Sequence, residues 1–227
     1  STRLLLGDAY LLKNDAGNAV TNYEYALDLD KTNAVPHYKI GVTYIRAKRY
    51  EFGVPELRKA IETDPSYALP YKDLGKYYYD VNKYAEAKEN YSKYMSMVTP
   101  TLPEEVQYAN ILFLNNDYKD ALPLLEKAKV QDKANKYPNV VRMLGFAYYE
   151  TGNNQKALEQ MNYFLEHRDT AQLLAQDFLY LGKIQKGMGQ DSLAGVNYLL
   201  AFQMDSTLAG DIKIIADTLF EQKKYAE

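Results

Sequence analysis

His37 and His167 are the only histidines in the 227 residues, and there is no cysteine. A thiolate nucleophile, a disulfide framework and a Cys-ligated zinc site are therefore excluded. Neither histidine has a carboxylate or hydroxyl at a spacing that marks an acid–base pair. His167 follows Phe164-Leu165-Glu166 at an expected helix end, where a cation complements the helix dipole. Gly187-Met188-Gly189 lies between two predicted helices, whereas a phosphate-cradling glycine loop needs a strand before it, so a hairpin turn is expected. Glu104-Glu105 falls where a helix should open, a place that favours acids without any catalytic role. No catalytic, cofactor or metal site is expected from these groups, and the chain does not read as an enzyme.

The composition bounds the remaining classes. Hydrophobic residues make up 47% and charged residues 25%, enough to build a core and solvate its surface. A net charge of -3 gives no overall basic field, so nucleic acid is not an expected partner. No apolar run reaches the roughly 20 residues that a transmembrane helix needs. The absence of cysteine tilts the compartment slightly toward exported or periplasmic over cytoplasmic.

Self-similarity organises the whole sequence. The pairs Leu6-Gly7, Ile40-Gly41, Leu74-Gly75, Tyr108-Ala109, Leu144-Gly145, Leu181-Gly182 and Ile215-Ala216 are separated by 34, 34, 34, 36, 37 and 34 residues. The start, Ser1-Thr2-Arg3-Leu4-Leu5-Leu6-Gly7, enters this pattern at once, so we expect a piece of a longer chain. A second ladder lies 12 residues beyond each small residue: Ala19, Gly53, Ala87, Ala121, Ala157 and Ala194. Between them, large apolar residues recur at three-and-four spacing, as in Leu74-Tyr78 and Ala87-Tyr91-Tyr94, which is one face of an amphipathic helix. Each unit is thus a pair of helices, with Gly or Ala where two backbones approach and a large residue filling the groove beside them. Asp64-Pro65, Thr99-Pro100 and Tyr137-Pro138 end units. Pro36, Pro70 and Pro103 fit the first turn of a following helix. Pro55 and Pro123 fall two turns into a predicted helix at equivalent positions, which suggests a tolerated bend.

The 34-residue step, the Leu-Gly-x-x-Tyr of Leu74-Gly75 and Tyr78, then Ala87 and Tyr91, and the terminal Pro65 of the preceding unit resemble the tetratricopeptide repeat. The resemblance covers nearly all of 1–227, read as one solenoid with repeats at about 1–33, 34–67, 68–101, 102–137, 138–174 and 175–208, and a partial one at 209–227. It implies an all-α, right-handed superhelix of antiparallel helix pairs with a concave groove lined by first helices. At those positions stand Tyr38, Lys39, Val42 and Arg46; Lys72, Lys76 and Tyr79; Gln107, Asn110 and Phe113; Arg142, Phe146 and Tyr149; and Lys183 and Lys186. The acids found among comparable positions are Asp73, Asp80 and Glu150, so the groove is expected to be basic and aromatic and to suit an acidic or aromatic peptide. The resemblance also gives His37 a packing position. Lys72 and Lys76 fall near the chaperone-tail clamp of some family members, but Gln107, Asn139 and Met143 break that pattern, so no such clamp is expected.

The 23 tyrosines do not change this reading. Tyr10, Tyr44, Tyr78 and Tyr148 share one inward position, and Tyr23, Tyr91 and Tyr198 another, so most are core residues with a hydroxyl at the edge. A protein- or peptide-binding scaffold without cofactor is the expected function. The alternatives are a structural spacer or self-assembly module, with homo-oligomers, and the regulatory arm of a larger enzyme or transcription regulator.

Overall fold

The computed structural model describes residues 2–168 and 172–210. The partial seventh repeat, with Ile215-Ala216, lies outside the described residues apart from its first two positions. Among the described residues there are twelve α-helices and no strand, in six consecutive pairs. These are α1 (Thr2–Leu12) and α2 (Ala16–Leu29), α3 (Ala34–Arg46) and α4 (Tyr50–Thr63), α5 (Ala68–Asp80) and α6 (Tyr84–Met97), α7 (Leu102–Leu114) and α8 (Tyr118–Gln131), α9 (Asn139–Glu150) and α10 (Asn154–Glu166), and α11 (Ala175–Gly187) and α12 (Asp191–Met204). The chain divides into two compact units, Ser1–Glu104 and Glu105–Glu227.

Within both units the helices of a pair meet at the glycine ladder. A Cβ built on Gly7 would lie 2.3 Å from the Tyr23 ring, on Gly75 3.0 Å from Tyr91, on Gly145 2.6 Å from Met161 and on Gly182 2.5 Å from Tyr198. The opposing residue is 16 positions on in every case, so one interlocking contact is repeated with different large side chains. In the fourth pair Ala109 and Leu125 hold the same positions and both are fully buried. Ala19, Ala87, Ala121, Ala157 and Ala194 are also completely buried. Tyr23, Tyr91 and Tyr198 are core residues, and so are Tyr78 and Tyr148, while Tyr10 and Tyr44 are half-buried. Three of these hydroxyls find polar partners: Tyr23 donates to Asp8 at 2.7 Å, Tyr148 donates to Glu126, and Tyr78 accepts from Arg58 at 2.7 Å, whereas that of Tyr198 is buried without one among the described residues.

A second regularity closes each pair. Seven residues beyond each small residue the backbone turns left-handed, at Asn14, Lys48, Asn82, Asn116, Gly152 and Gly189. Asparagine and glycine tolerate that conformation, and only Lys48 adopts it without such help. Gly187-Met188-Gly189 is accordingly the hairpin turn between α11 and α12. Between pairs, Asp30, Asp64 and Asp205 end their helices and each carboxylate accepts from the amide and the hydroxyl of the Thr or Ser two residues on. Such side-chain turns replace helix hydrogen bonds and reset the chain direction.

The longer repeat steps appear as longer junctions. Four residues separate α4 from α5, but 132–138 separate α8 from α9 and 167–174 separate α10 from α11. In the first of these Asp132 accepts from the amides of Lys136 and Tyr137, and Asn135 adopts φ 49°, so the aspartate folds a wider loop. Pro55 and Pro123 lie at the sixth position of α4 and α8, and both helices continue through them. Pro36, Pro70 and Pro103 occupy first turns, where a missing amide hydrogen costs little.

Candidate functional site

The first helices carry the residues of interest, and the two units use them differently. In the first unit they are linked by polar contacts between successive repeats. Lys39 on α3 pairs with Asp8 on α1 at 2.7 Å, and its ammonium lies 5.7 Å from the centre of the Tyr23 ring. Tyr38 donates to Asp73 on α5 at 2.9 Å and meets Tyr67 edge-on at 5.2 Å. Burial and Asp73 together push the Tyr38 hydroxyl well above the ordinary tyrosine range. Lys72 pairs with Glu104, the last residue of this unit, at 2.5 Å and lies 5.0 Å from the centre of the Tyr94 ring.

Glu104 is the most perturbed acid of this face. Burial raises its pKa, but Lys72, the Thr101 amide and the Tyr94 hydroxyl together more than offset that and hold it at about 2, against an ordinary 4.5. One carboxylate thus caps its own helix, through Thr101, and draws Lys72 of α5 and Tyr94 of α6 onto a single group. Lys76 and Arg46 are exposed, Val42 is half-buried, and Tyr79 packs edge-on against Tyr84.

In the second unit the rings dominate. Phe113 on α7 lies 6.4 Å from Phe146 on α9, which stacks on Tyr180 of α11 at 3.9 Å with 11° between the planes. Tyr149 meets Tyr180 edge-on at 5.7 Å, Tyr118 meets Phe113 at 5.3 Å, and Lys183 lies 5.3 Å from the centre of the Tyr180 ring. Phe146 is buried, while Phe113, Tyr149 and Tyr180 are half-buried and keep part of their faces in solvent. The Tyr180 hydroxyl donates to Glu150 at 2.7 Å, and burial together with that carboxylate pushes it far above the usual range. Gln107, Asn110, Lys183 and Lys186 are half-buried along the same helices.

Arg142 belongs to this unit but not to its exposed rings. Its guanidinium grips Asp177 on α11 at 2.7 and 2.8 Å and covers Phe164, and Asp177 is fully buried while also accepting from the Leu174 amide. Three sets stand out among the side chains of these first helices. Lys39, Lys72 and Arg142 have their charge matched by an acid of a neighbouring repeat. Phe113, Phe146, Tyr149 and Tyr180 form a file of rings. Arg46 and Lys76 face solvent. Sequence reasoning counted Asp73 and Glu150 but missed Asp8, Glu104 and Asp177 as partners; Glu104 was visible only as a helix-opening acid.

Two further groups differ from their sequence reading. His37 does have an acid partner, Glu56 on α4 at 2.7 Å, and Glu56 also accepts from Lys59 at 2.7 Å. Burial raises the Glu56 pKa, but Lys59 and His37 outweigh it and leave the carboxyl below its ordinary value. The cavity beside this pair is lined by Glu24, Glu51, Lys59, Tyr44 and apolar residues, and the His37–Glu56 contact ties α3 to α4. Glu105, expected only as a helix-opening acid, lies in the first turn of α7 but is buried and paired with Lys127 at 2.5 Å. His167 sits at the end of α10, where Nδ1 and the Tyr163 carbonyl are 2.8 Å apart. Among the described residues no group of acids and histidines is placed to hold a metal ion, and no helix is long and apolar enough to cross a membrane.

Residues 7–47 match the family model described as TPR repeat. Among curated proteins, ycf37 of Guillardia theta is 33% identical over 91 residues, covering 38% of this chain and 51% of that relative, so the match spans about half the relative's length. Among solved structures, the TPR protein YrrB superposes with a TM-score of 0.66 at 21% identity, covering 86% of this chain and 97% of its own. The pilF protein of Pseudomonas aeruginosa superposes with a TM-score of 0.56 at 17% identity, covering 95% and 96%. MamA gives 0.58 at 18% identity over 78% and 94%. The repeated helix pairs, the interlocking glycine ladder and these likenesses agree: the chain has the tetratricopeptide-repeat fold, one that serves in general as a scaffold for protein–protein interaction.

Proposed function

We propose that this chain is a peptide-binding adaptor whose recognition surface in the second unit is the file Phe113, Phe146, Tyr149 and Tyr180, flanked by Lys183 and Lys186. The observation that carries it is the file itself. Four rings from three first helices lie in contact with one another, three of them half-exposed, outside the glycine-ladder core that makes the fold. Rings of this kind offer large, rigid contact area at small entropic cost. Lysine at the edge favours a peptide with an acidic residue beside its aromatic or apolar ones. YrrB, which shares the fold, is described as a TPR protein with an unusual peptide-binding site, which supports a peptide ligand here.

In this reading Lys39, Lys72 and Arg142 order the face and do not supply the attraction, because each charge is already matched. The test is a random peptide array probed with the parent chain and with Tyr149→Ala and Lys183→Glu variants of unchanged circular dichroism. Selected sequences should be enriched in aromatic and acidic residues, and both variants should bind them at least about tenfold more weakly, a loss of roughly 1.4 kcal/mol. Enrichment that survives both substitutions would place recognition on another face.

A further inference from the structure

The first of the longer junctions, 132–138, lies against the end of α10, where the second begins. The junction 132–138 and the end of α10 with the start of the junction at 167 enclose a cavity of about 310 Å³ within the second unit. This is at the small end of the range of ligand pockets. The cavity is separate from the ring file, so a ligand here is independent of the peptide-binding reading.

Its walls are cationic and aromatic. Lys129, Lys133 and Arg168 line it together with Tyr137, Tyr163 and His167, and Asp132 is the one acid among the described lining residues. Three cations against that carboxylate leave a formal charge of +2, with histidine counted neutral. Asp132 spends both oxygens on the amides of Lys136 and Tyr137, so it holds the loop and, among the described residues, forms no ion pair with the three cations.

The cations are kept in place by neutral groups. Lys129 donates to the Gln160 side-chain oxygen at 2.7 Å and lies 5.1 Å from the centre of the Tyr163 ring. Arg168 donates to Gln172 at 2.9 Å and Asn139 at 3.3 Å and covers Phe164, while its Nε is buried without a hydrogen-bond partner. Among the described residues, Lys39, Lys59, Lys72, Lys127, Arg142 and Lys156 all pair with carboxylates, whereas Lys129, Lys133 and Arg168 are in no such ion pair. The Tyr163 and His167 rings stack at 4.1 Å and give the cavity one flat wall.

From this we infer that the junction cavity is a binding site for a phosphoryl group, either free phosphate or a small phosphomonoester whose organic part lies against the Tyr163–His167 wall. A phosphomonoester carries about -1.5 to -2 at neutral pH, which matches the net charge of the walls, and arginine offers it a bidentate fork. A lone carboxylate would leave at least one cation unmatched.

The experiment is a titration of the 227-residue chain with inorganic phosphate, phenyl phosphate and benzoate at fixed ionic strength, read by phosphorus and proton NMR and by calorimetry. Saturable binding of either phosphate compound, perturbing the Tyr163 and His167 ring protons and weakened about tenfold or more by exposed Lys133→Glu, is the expected result. Phenyl phosphate binding more tightly than phosphate would identify a phosphomonoester as the ligand; equal binding would identify the free anion. Lys129→Ala gives a second variant, with thermal melting to confirm that each is folded. Absence of saturation into the millimolar range, binding undiminished in both folded variants, or benzoate binding as well as phenyl phosphate would overturn the inference.

Discussion

The first helices of the two units solve the same problem with different chemistry. In Ser1–Glu104 successive repeats are joined by Asp8–Lys39, Tyr38–Asp73 and Lys72–Glu104, contacts that use up polar groups on these helices. In the second unit Phe113, Phe146 and Tyr180 make most of the links between first helices, and Arg142–Asp177 is the ion pair that joins two of them among the described residues. A matched ion pair has little left to offer a ligand, whereas a half-exposed ring packs on one face and remains available on the other. The junctions differ in parallel: four residues in the first unit, longer in the second, where 132–138 and the end of α10 line the basic cavity.

The sharpest way to break this comparison is to substitute ion pairs of different burial. Arg142→Met strands the fully buried Asp177 carboxylate and should cost about 3–5 kcal/mol in denaturant unfolding; a loss below about 1 kcal/mol would show that the pair does not organise the second unit. The glycine ladder is shared by both units and should be blind to the difference between them. Gly75→Leu and Gly145→Leu should each cost roughly 1–3 kcal/mol or more by overpacking against Tyr91 and Met161, or at least about 2–4 °C in melting temperature per kcal/mol. An unchanged melting temperature in either would count against the interlocking register.

Acid should act on the first unit in a way that Glu104 reports. Its folded pKa of about 2 lies below the ordinary 4.5, so its contribution is fully present above about 4.5 and is lost as pH falls from there toward 2. Glu104→Gln should flatten that part of the stability profile, and an identical acid limb in parent and variant would contradict the assigned network. The smallest effect belongs to Lys39→Met. Its pair is partly exposed, so the cost should be about 0–1 kcal/mol, and salt should erase most of it.

Much of the fold was legible because it repeats. Gly7, Gly75 and Gly182 advertise a close approach, and Asn14, Asn82, Asn116 and Gly152 advertise left-handed turns, since few other residues tolerate those demands. Lys48 was not legible as a turn residue, having no chemical reason to adopt that conformation. The ion-pair partners were hidden for another reason. Asp8 follows its small residue by one position, whereas Glu104 and Asp177 both precede theirs by five and meet Lys72 and Arg142, which both precede theirs by three, so two of the three pairs repeat one register while the third does not. Their pairing depends on how neighbouring helices are staggered, which periodicity does not encode. The junction cavity was visible only as two irregular steps; that Lys129, Lys133 and Arg168 would line one space came from the geometry.

The claim that the second unit's ring file is the recognition surface is tested most directly by mapping the site of a selected peptide. Ring and methyl resonances would be followed as the peptide is titrated into the intact chain. The largest shifts should fall on Phe113, Phe146, Tyr149 and Tyr180, with Tyr38 and Tyr79 little changed. Shifts concentrated on Tyr38, Tyr67 and Tyr79, with the second unit's rings silent, would contradict that claim.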